Sequence, residues 1–228
     1  MRISVKMTDT QKILGWVLLA LHLLFLPYII LLVCRLCSVP LNGSTLNIAT
    51  FVTAFVLTLG VFLPFLRKNL QIFLADPKKH LLDAWVGFAL YYTTSVLVNV
   101  LVQIVSPEFS NANDANIAQL SDGYYGAMLF CTVVLVPVTE EVLYRGMLFG
   151  LLWHKNRILA YTVSVFVFAA IHVVGYLGQL SPLQILLSLL QYMPAAACLA
   201  YAYEKTDSIV TPILIHSVVN LISMLAMR

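Results

Sequence analysis

Residues 124–152 read YYGAMLFCTVVLVPVTEEVLYRGMLFGLL, an apolar stretch that carries Glu140, Glu141 and Arg145 in its middle. A bilayer-spanning helix uses about 20 apolar residues, so this stretch is long enough to cross a membrane with its charges inside. A charge at the bilayer centre costs about 2.5–3.5 kcal/mol even on the most lenient insertion scale. These three side chains therefore need partners or a watery cavity. Glu141 and Arg145, four residues apart, share a helix face at ion-pairing distance and read as a helix-orienting pair. Glu140 is turned about 100° from Glu141 and has no partner nearby in sequence. Pro137 removes a helical hydrogen bond just ahead of them and predicts a kink with room for water.

The rest of the chain fits the same medium. Of 228 residues 61% are hydrophobic and 10% charged, and the mean hydropathy is +0.93, where a soluble domain carries roughly 25% charged residues. Apolar runs at about 13–37, 45–66, 82–105, 124–152, 157–175, 182–203 and 208–226 predict an all-α, polytopic transmembrane bundle of about seven spans. We expect residues 1–123 to form N-terminal helices and loops, and residues 124–228 to hold the last four helices with the intramembrane charges. The run from Ile13 to Val33 is too long for a signal-peptide h-region and reads as a retained span. The loop from Ser106 to Gly123, rich in Asn, Asp, Ser and Ala and without Lys or Arg, is expected to be solvated and partly disordered.

Basic residues set the orientation. Arg2, Lys6, Lys12, Arg67, Lys68, Lys78, Lys79, Lys155, Arg157 and Lys205 fall on one side, and Arg35 and Arg228 on the other. The N-terminus is therefore expected in the cytoplasm, with Trp16, Trp85 and Trp153 as interfacial anchors near the cytoplasmic helix ends. With a net charge of +3 and no basic patch, the chain lacks a nucleic-acid footprint. The expected partner of such a chain is membrane lipid. Cys34 and Cys37 form a lone CxxC, which reads as packed thiols.

Two later helices add polar residues at helical spacing. Phe168 and His172 lie one turn apart on the fifth run, and His216 and Asn220 one turn apart on the seventh. Counted inward from the cytoplasmic ends at 1.5 Å per residue, Glu140, His172, His216 and Asn220 lie roughly 20, 22, 14 and 20 Å deep, so they can meet at one level. A carboxylate shielded from water is a usable base near neutral pH and can activate water. An imidazole or amide beside it can donate to an oxyanion. The same residues also suit a divalent zinc ion, with Glu140, His172 and His216 as candidate ligands. His22, in a leucine-rich helix, reads as incidental, and His80 and His154 as loop residues. Asn99 with Gln103, and Gln184 with Gln191, read as interhelical glue.

The ordered set EExxxR (Glu140, Glu141, Arg145), FxxxH (Phe168, His172) and HxxxN (His216, Asn220) resembles the CPBP family of intramembrane proteases, the CAAX-protease and bacteriocin-processing (Abi) family. The likeness covers roughly residues 124–226. It implies a helical bundle with its catalytic core in the last four helices and a cavity open to the cytoplasm or the lipid, in which a peptide bond is hydrolysed. By that likeness Glu140 activates water, His172 positions or shares its proton, and Glu141 and Arg145 shape the site. His216 and Asn220 stabilise the oxyanion, or His216 joins His172 on a metal. The implied enzyme is a glutamate-dependent or metallo-endopeptidase in a bacterial cell membrane, and its implied partner is a hydrophobic or lipidated peptide, a substrate of prenylated CAAX type or bacteriocin type. Two other classes compete. A proton-coupled transporter would more often show paired repeats and broken helices in both halves, whereas the polar residues here gather in one half. A non-catalytic bacteriocin-immunity or peptide-binding protein would more often show a broken motif, and here none is broken.

Overall fold

The computed structural model describes residues 3–227; Arg2 and Arg228, counted above for orientation, lie outside the described residues. Seven long helices and one short one account for the fold: α1 (Asp9–Leu36), α2 (Gly43–Ala75), α3 (Pro77–Val105), α4 (Ala112–Ser121), α5 (Tyr125–Trp153), α6 (Arg157–Val174), α7 (Pro182–Thr206) and α8 (Val210–Ala226). Among the described residues six, α1, α2, α3, α5, α6 and α7, are long and apolar enough to cross a membrane, and α8 is a shorter apolar helix. The chain is thus an integral membrane protein built as a polytopic helical bundle. Polar starts delimit the helices: the Thr8, Asn42 and Ser181 side chains cap α1, α2 and α7 in reciprocal capping boxes, and Asn156 caps α6. Trp16 and Trp85, 50% and 67% exposed, face outward, as anchors at a lipid interface do.

One core joins both halves of the chain. Ile3, Met7 and Leu19 from the N-terminal segment, and Phe62 and Phe65 of α2, pack with Val142–Phe149 of α5, Ala160 and Phe168 of α6, and Ala196, Ala200 and Tyr203 of α7. Missing side chains permit that closeness. A Cβ on Gly15 of α1 would stand 2.8 Å from Met147 Sδ, and one on Gly146 of α5 would stand 2.9 Å from the Phe65 ring.

The end of the bundle that gathers Lys6, Lys12, Arg67, Lys68, Lys78, Lys79, Lys155, Arg157 and Lys205 is closed. Asn69, wholly buried, accepts from the Ile209 N–H at 2.8 Å through its side chain, and its backbone carbonyl accepts from the Ser208 hydroxyl at 2.9 Å. This satisfies donors at the start of α8 that have no partner within the helix. Asp207, left-handed with φ 54°, ends α7 and takes hydrogen bonds from the Ser4 amide and hydroxyl. Arg157 grips Glu204 through two bonds of 2.7 and 3.1 Å, and the Tyr161 hydroxyl donates to the same carboxylate at 2.5 Å.

Three expectations are corrected here. The Ser106–Gly123 loop contains α4, capped by Asn111 and tied to α7. Its composition is polar because it binds a polar edge of the bundle: the Tyr192 hydroxyl donates to Asn111 and Asp114, and the Asn111 amide donates to Gln191. His80 is no loop residue. It is buried on α3, against the Phe73 ring and within hydrogen-bonding distance of the Thr211 hydroxyl. Gln184 completes the Ser181 capping box instead of bridging helices, while Gln191 does reach across to Asn99 at 2.8 Å. All four cysteines are free thiols.

Candidate active site

Helix α5 positions the site, and it does so by departing from α geometry. It is α-helical over Tyr125–Phe130, widens into a π turn over Cys131–Leu135, returns to α over Val136–Glu140 and widens again over Glu141–Phe149. A π turn places one extra residue in a helical turn and is found mostly at functional sites. Here the second widening begins between the two glutamates. Pro137 stands just beyond the first, where its missing N–H would otherwise break the α ladder.

The two neighbours consequently meet different surroundings. Glu141 is fully buried; its Oε1 accepts from Arg145 Nη1 at 2.9 Å and lies 2.8 Å from His216 Nδ1. Arg145, equally buried, also donates through Nη2 to the Ala196 carbonyl at 3.3 Å, and its guanidinium lies 4.1 Å from the centre of the Phe168 ring. Two charges removed from water are tolerable only when such bonds complete them. The Glu140 side chain is also buried, but Oε2 has no hydrogen-bond partner among the described residues, and it lines a cavity of about 750 Å³.

His172, His216 and Asn220 line the same cavity. His172 Nδ1 donates to the Phe168 carbonyl at 2.8 Å, and its ring stacks on Tyr192 with centroids 4.2 Å apart. With Nδ1 carrying the hydrogen, Nε2 of the neutral ring is the acceptor. His216, held at Nδ1 by Glu141, likewise keeps Nε2 as its remaining polar atom. Asn220 donates to the Thr132 carbonyl at 2.8 Å, inside the first π turn, and so ties α8 to the widened part of α5. Phe168 is the common neighbour: its ring lies 4.8 Å from His172, 6.0 Å from His216 and 5.5 Å edge-on from Tyr144. All seven residues singled out in the sequence therefore fall in one contiguous site.

The cavity is larger than the last four helices. His22 lines it too, on a π turn of α1 over Leu21–Phe25, with Nδ1 buried and without a partner among the described residues. A lone imidazole in a leucine-rich run gives no periodic signal that would place it on this wall. At the Lys- and Arg-poor end the wall consists of Asn47 of α2, Asn99 of α3, and Asn111, Asn113 and Asp114 at the start of α4. Desolvation beside α7 pushes the Asp114 carboxyl up from its ordinary value, against the pull of its hydrogen bonds to Tyr192 and Asn113. Leu24 and Tyr28 of α1, 52% and 72% exposed, border the cavity laterally, so it also opens toward lipid. As candidate metal ligands, Glu140, His172 and His216 do not form a set in this arrangement. Among the described residues no group of three or more His, Cys, Asp or Glu side chains is placed to hold a metal ion.

Residues 123–222 match the family model described as type II CAAX prenyl endopeptidase Rce1-like. Over these residues the chain is similar to the Rce1-like family. This is the CAAX-protease and bacteriocin-processing kinship that the three motifs suggest, and the matched span includes every one of them. An Rce1-like core is that of an intramembrane endopeptidase, and the protein is accordingly a membrane protease. The chain is also similar to the UPF0177 protein YxdF of Lactococcus lactis subsp. lactis (strain IL1403), at 28% identity over 142 residues that cover 60% of this chain and 72% of that protein. No solved structure matches it.

Proposed function

We propose that the protein hydrolyses a peptide bond of a membrane-associated substrate, of CAAX or bacteriocin type, with water activated by Glu140, and that residues 124–228 supply the chemistry. The observation that carries this reading is the contrast between the glutamates: Glu141 is bound through one oxygen by Arg145 and His216 and does not line the cavity, while Glu140 does. A base must be able to reach the water it deprotonates, and of the pair Glu140 alone is free to do so. The water oxygen attacks the carbonyl carbon as its proton passes to Glu140. The Asn220 amide, and His216 where it carries a hydrogen on Nε2 as well as the one shared with Glu141, are the groups to stabilise the oxyanion. As the C–N bond breaks, the proton moves from Glu140, directly or through His172 Nε2, to the leaving amine.

The test is cleavage of a membrane-anchored peptide library by purified protein in liposomes, comparing wild type with Glu140→Gln, each with and without a zinc chelator. Cleavage by wild type alone, indifferent to chelator, supports a glutamate-dependent enzyme. Loss with chelator replaces it with a zinc enzyme whose ligands move together on binding the metal. Peptide binding without cleavage by either protein supports the immunity or peptide-binding reading instead.

The protein is further proposed to sit in a bacterial cell membrane with its Lys- and Arg-rich end in the cytoplasm, which places the amide-lined cavity mouth on the outer side. Cys37, exposed at the end of α1, reports this directly. A membrane-impermeant maleimide added to intact cells should label the wild type and lose signal in Cys37→Ser; labelling only after lysis would reverse the orientation.

A further inference from the structure

The imidazole of His22 stands on the same cavity wall as Glu140, His172 and His216 and has no part in the chemistry assigned above. It lies outside residues 123–222, which the family model matches, so that likeness gives it no role. Its neighbours place it against the turn of α5 that carries Glu140. It shares a small pocket with Thr139 and Leu143, one before and one after Glu140 in sequence, and its ring lies 6.3 Å from the ring of Tyr144. The winding of α1 widens at His22, over Leu21–Phe25, as that of α5 does from Glu141 onward, and π turns are found mostly at functional sites.

An ionisable side chain within a membrane span is costly, and it marks a site or a pathway by default. The ring has two nitrogens to account for. Nδ1 is buried and has no hydrogen-bond partner among the described residues, and the same holds for the Thr139 and Tyr144 hydroxyls on the adjoining turn of α5. With Nδ1 closed off, Nε2 is the nitrogen that the ring can present to the cavity. Hydroxyl oxygens beside Nδ1 suit a hydrogen on that atom, and a neutral imidazole so protonated accepts at Nε2. The mechanism has a use for such an acceptor. A water has two hydrogens and the base takes one; unless the second is also held, the lone pair that attacks the carbonyl carbon is not aimed, and misaligned reactants lose rate steeply. Of the other groups near Glu140, Glu141 does not line the cavity and the Asn220 amide is a donor, while His172 Nε2 is placed on the path to the leaving amine.

Resting on the endopeptidase reading above, we infer that His22 is a further residue of the active site, whose Nε2 accepts a hydrogen bond from the second O–H of the attacking water and so holds its oxygen toward the scissile carbonyl. His22 takes no proton. The C–O bond forms from the water lone pair, the carbonyl π pair moves to the oxyanion, the first hydrogen passes to Glu140, and the second stays on the new hydroxyl of the tetrahedral intermediate. This adds α1 to residues 124–228, which supply the base and the oxyanion donors.

The experiment measures kcat, KM and the thermal transition of the full-length protein in liposomes on a fluorogenic membrane-anchored peptide, for wild type, His22→Leu, His22→Gln and His22→Asn. The Gln side chain carries a polar atom near the place of Nε2, and Asn one near the place of Nδ1. We expect His22→Leu to lower kcat roughly ten- to a hundredfold with KM and the thermal transition unchanged, His22→Gln to recover most of that loss, and His22→Asn to recover none. Wild-type kcat in His22→Leu overturns the inference while leaving the endopeptidase intact. So does recovery by Asn in place of Gln, which assigns the ring to its buried side, or a loss confined to KM, which makes His22 a binding residue. A thermal transition that falls in step with kcat in all three variants marks a structural role and overturns it as well. Should His22→Leu fail to fold, the Gln and Asn pair decides. If the wild type cleaves no peptide, the endopeptidase reading falls, and the assignment of His22 falls with it.

Discussion

The two ends of this bundle are built from opposite solutions to the same problem. At the Lys- and Arg-rich end, polar atoms pair with one another: Asn69 with Ser208 and Ile209, Asp207 with Ser4, and Glu204 with Arg157 and Tyr161. Among the described residues none of that end lines the cavity. At the other end Asn, Gln and Asp side chains are left facing an open space that runs inward to Glu140. Where the polar groups face one another the bundle is closed, and where they face the cavity it admits something. Glu141 and Glu140 repeat the contrast at the boundary, one held by Arg145 and His216 away from the cavity and one lining it.

The sharpest way to break the comparison is Glu140→Gln. If the open side alone does chemistry, turnover should fall roughly 10²- to 10⁴-fold, while the thermal transition in detergent stays within error of wild type; normal turnover would remove Glu140 from the mechanism. Arg145→Ala attacks the completed carboxylate. It strands Glu141 in a buried site, and stability should drop by about 3–5 kcal/mol together with activity. An unchanged melting curve would show that the pair is not structural. Asn69→Ala opens the closed end, where leaving the Ile209 N–H at the start of α8 without its side-chain acceptor should cost about 1–3 kcal/mol. The folded fraction should retain its cleavage rate, and a selective loss of rate at full stability would show that the two ends are coupled. The smallest effect is expected for Tyr192→Phe. It keeps the ring stacked on His172 but frees α4 of about 0.5–1.5 kcal/mol of hydrogen bonding. Faster amide exchange confined to residues 112–121 would sharpen the picture of α4 as a tied rim, and unchanged exchange would assign its anchoring to other contacts.

Much of this was legible in the residues. Apolar runs gave the helices because spanning length and hydropathy leave few alternatives, and the one interior run with three charges marked the site because those charges cannot sit unassisted in lipid. What the sequence did not disclose depends on backbone register and on partners distant along the chain. Residue types do not announce a π turn, so an α-helical estimate of the angle between Glu140 and Glu141 stood in for a junction between two windings. His216 was expected beside Asn220 or a metal and instead also holds Glu141, from a helix 75 residues away. The segment that became α4 did carry a signal, since Asn111 followed by Asp114 has the form of a helix start, but its polar composition outweighed it.

The widened turns in α5 bear on how this protein can change in length. A helix that takes in a surplus residue absorbs it as a π turn, and losing that residue returns it to α winding. Deleting one residue within Cys131–Leu135 would let that turn return to α winding while the residues after it keep their places, with Glu140 at the cavity and Glu141 on Arg145 and His216. The widened turn is therefore a place where α5 can lose a residue without turning the doublet.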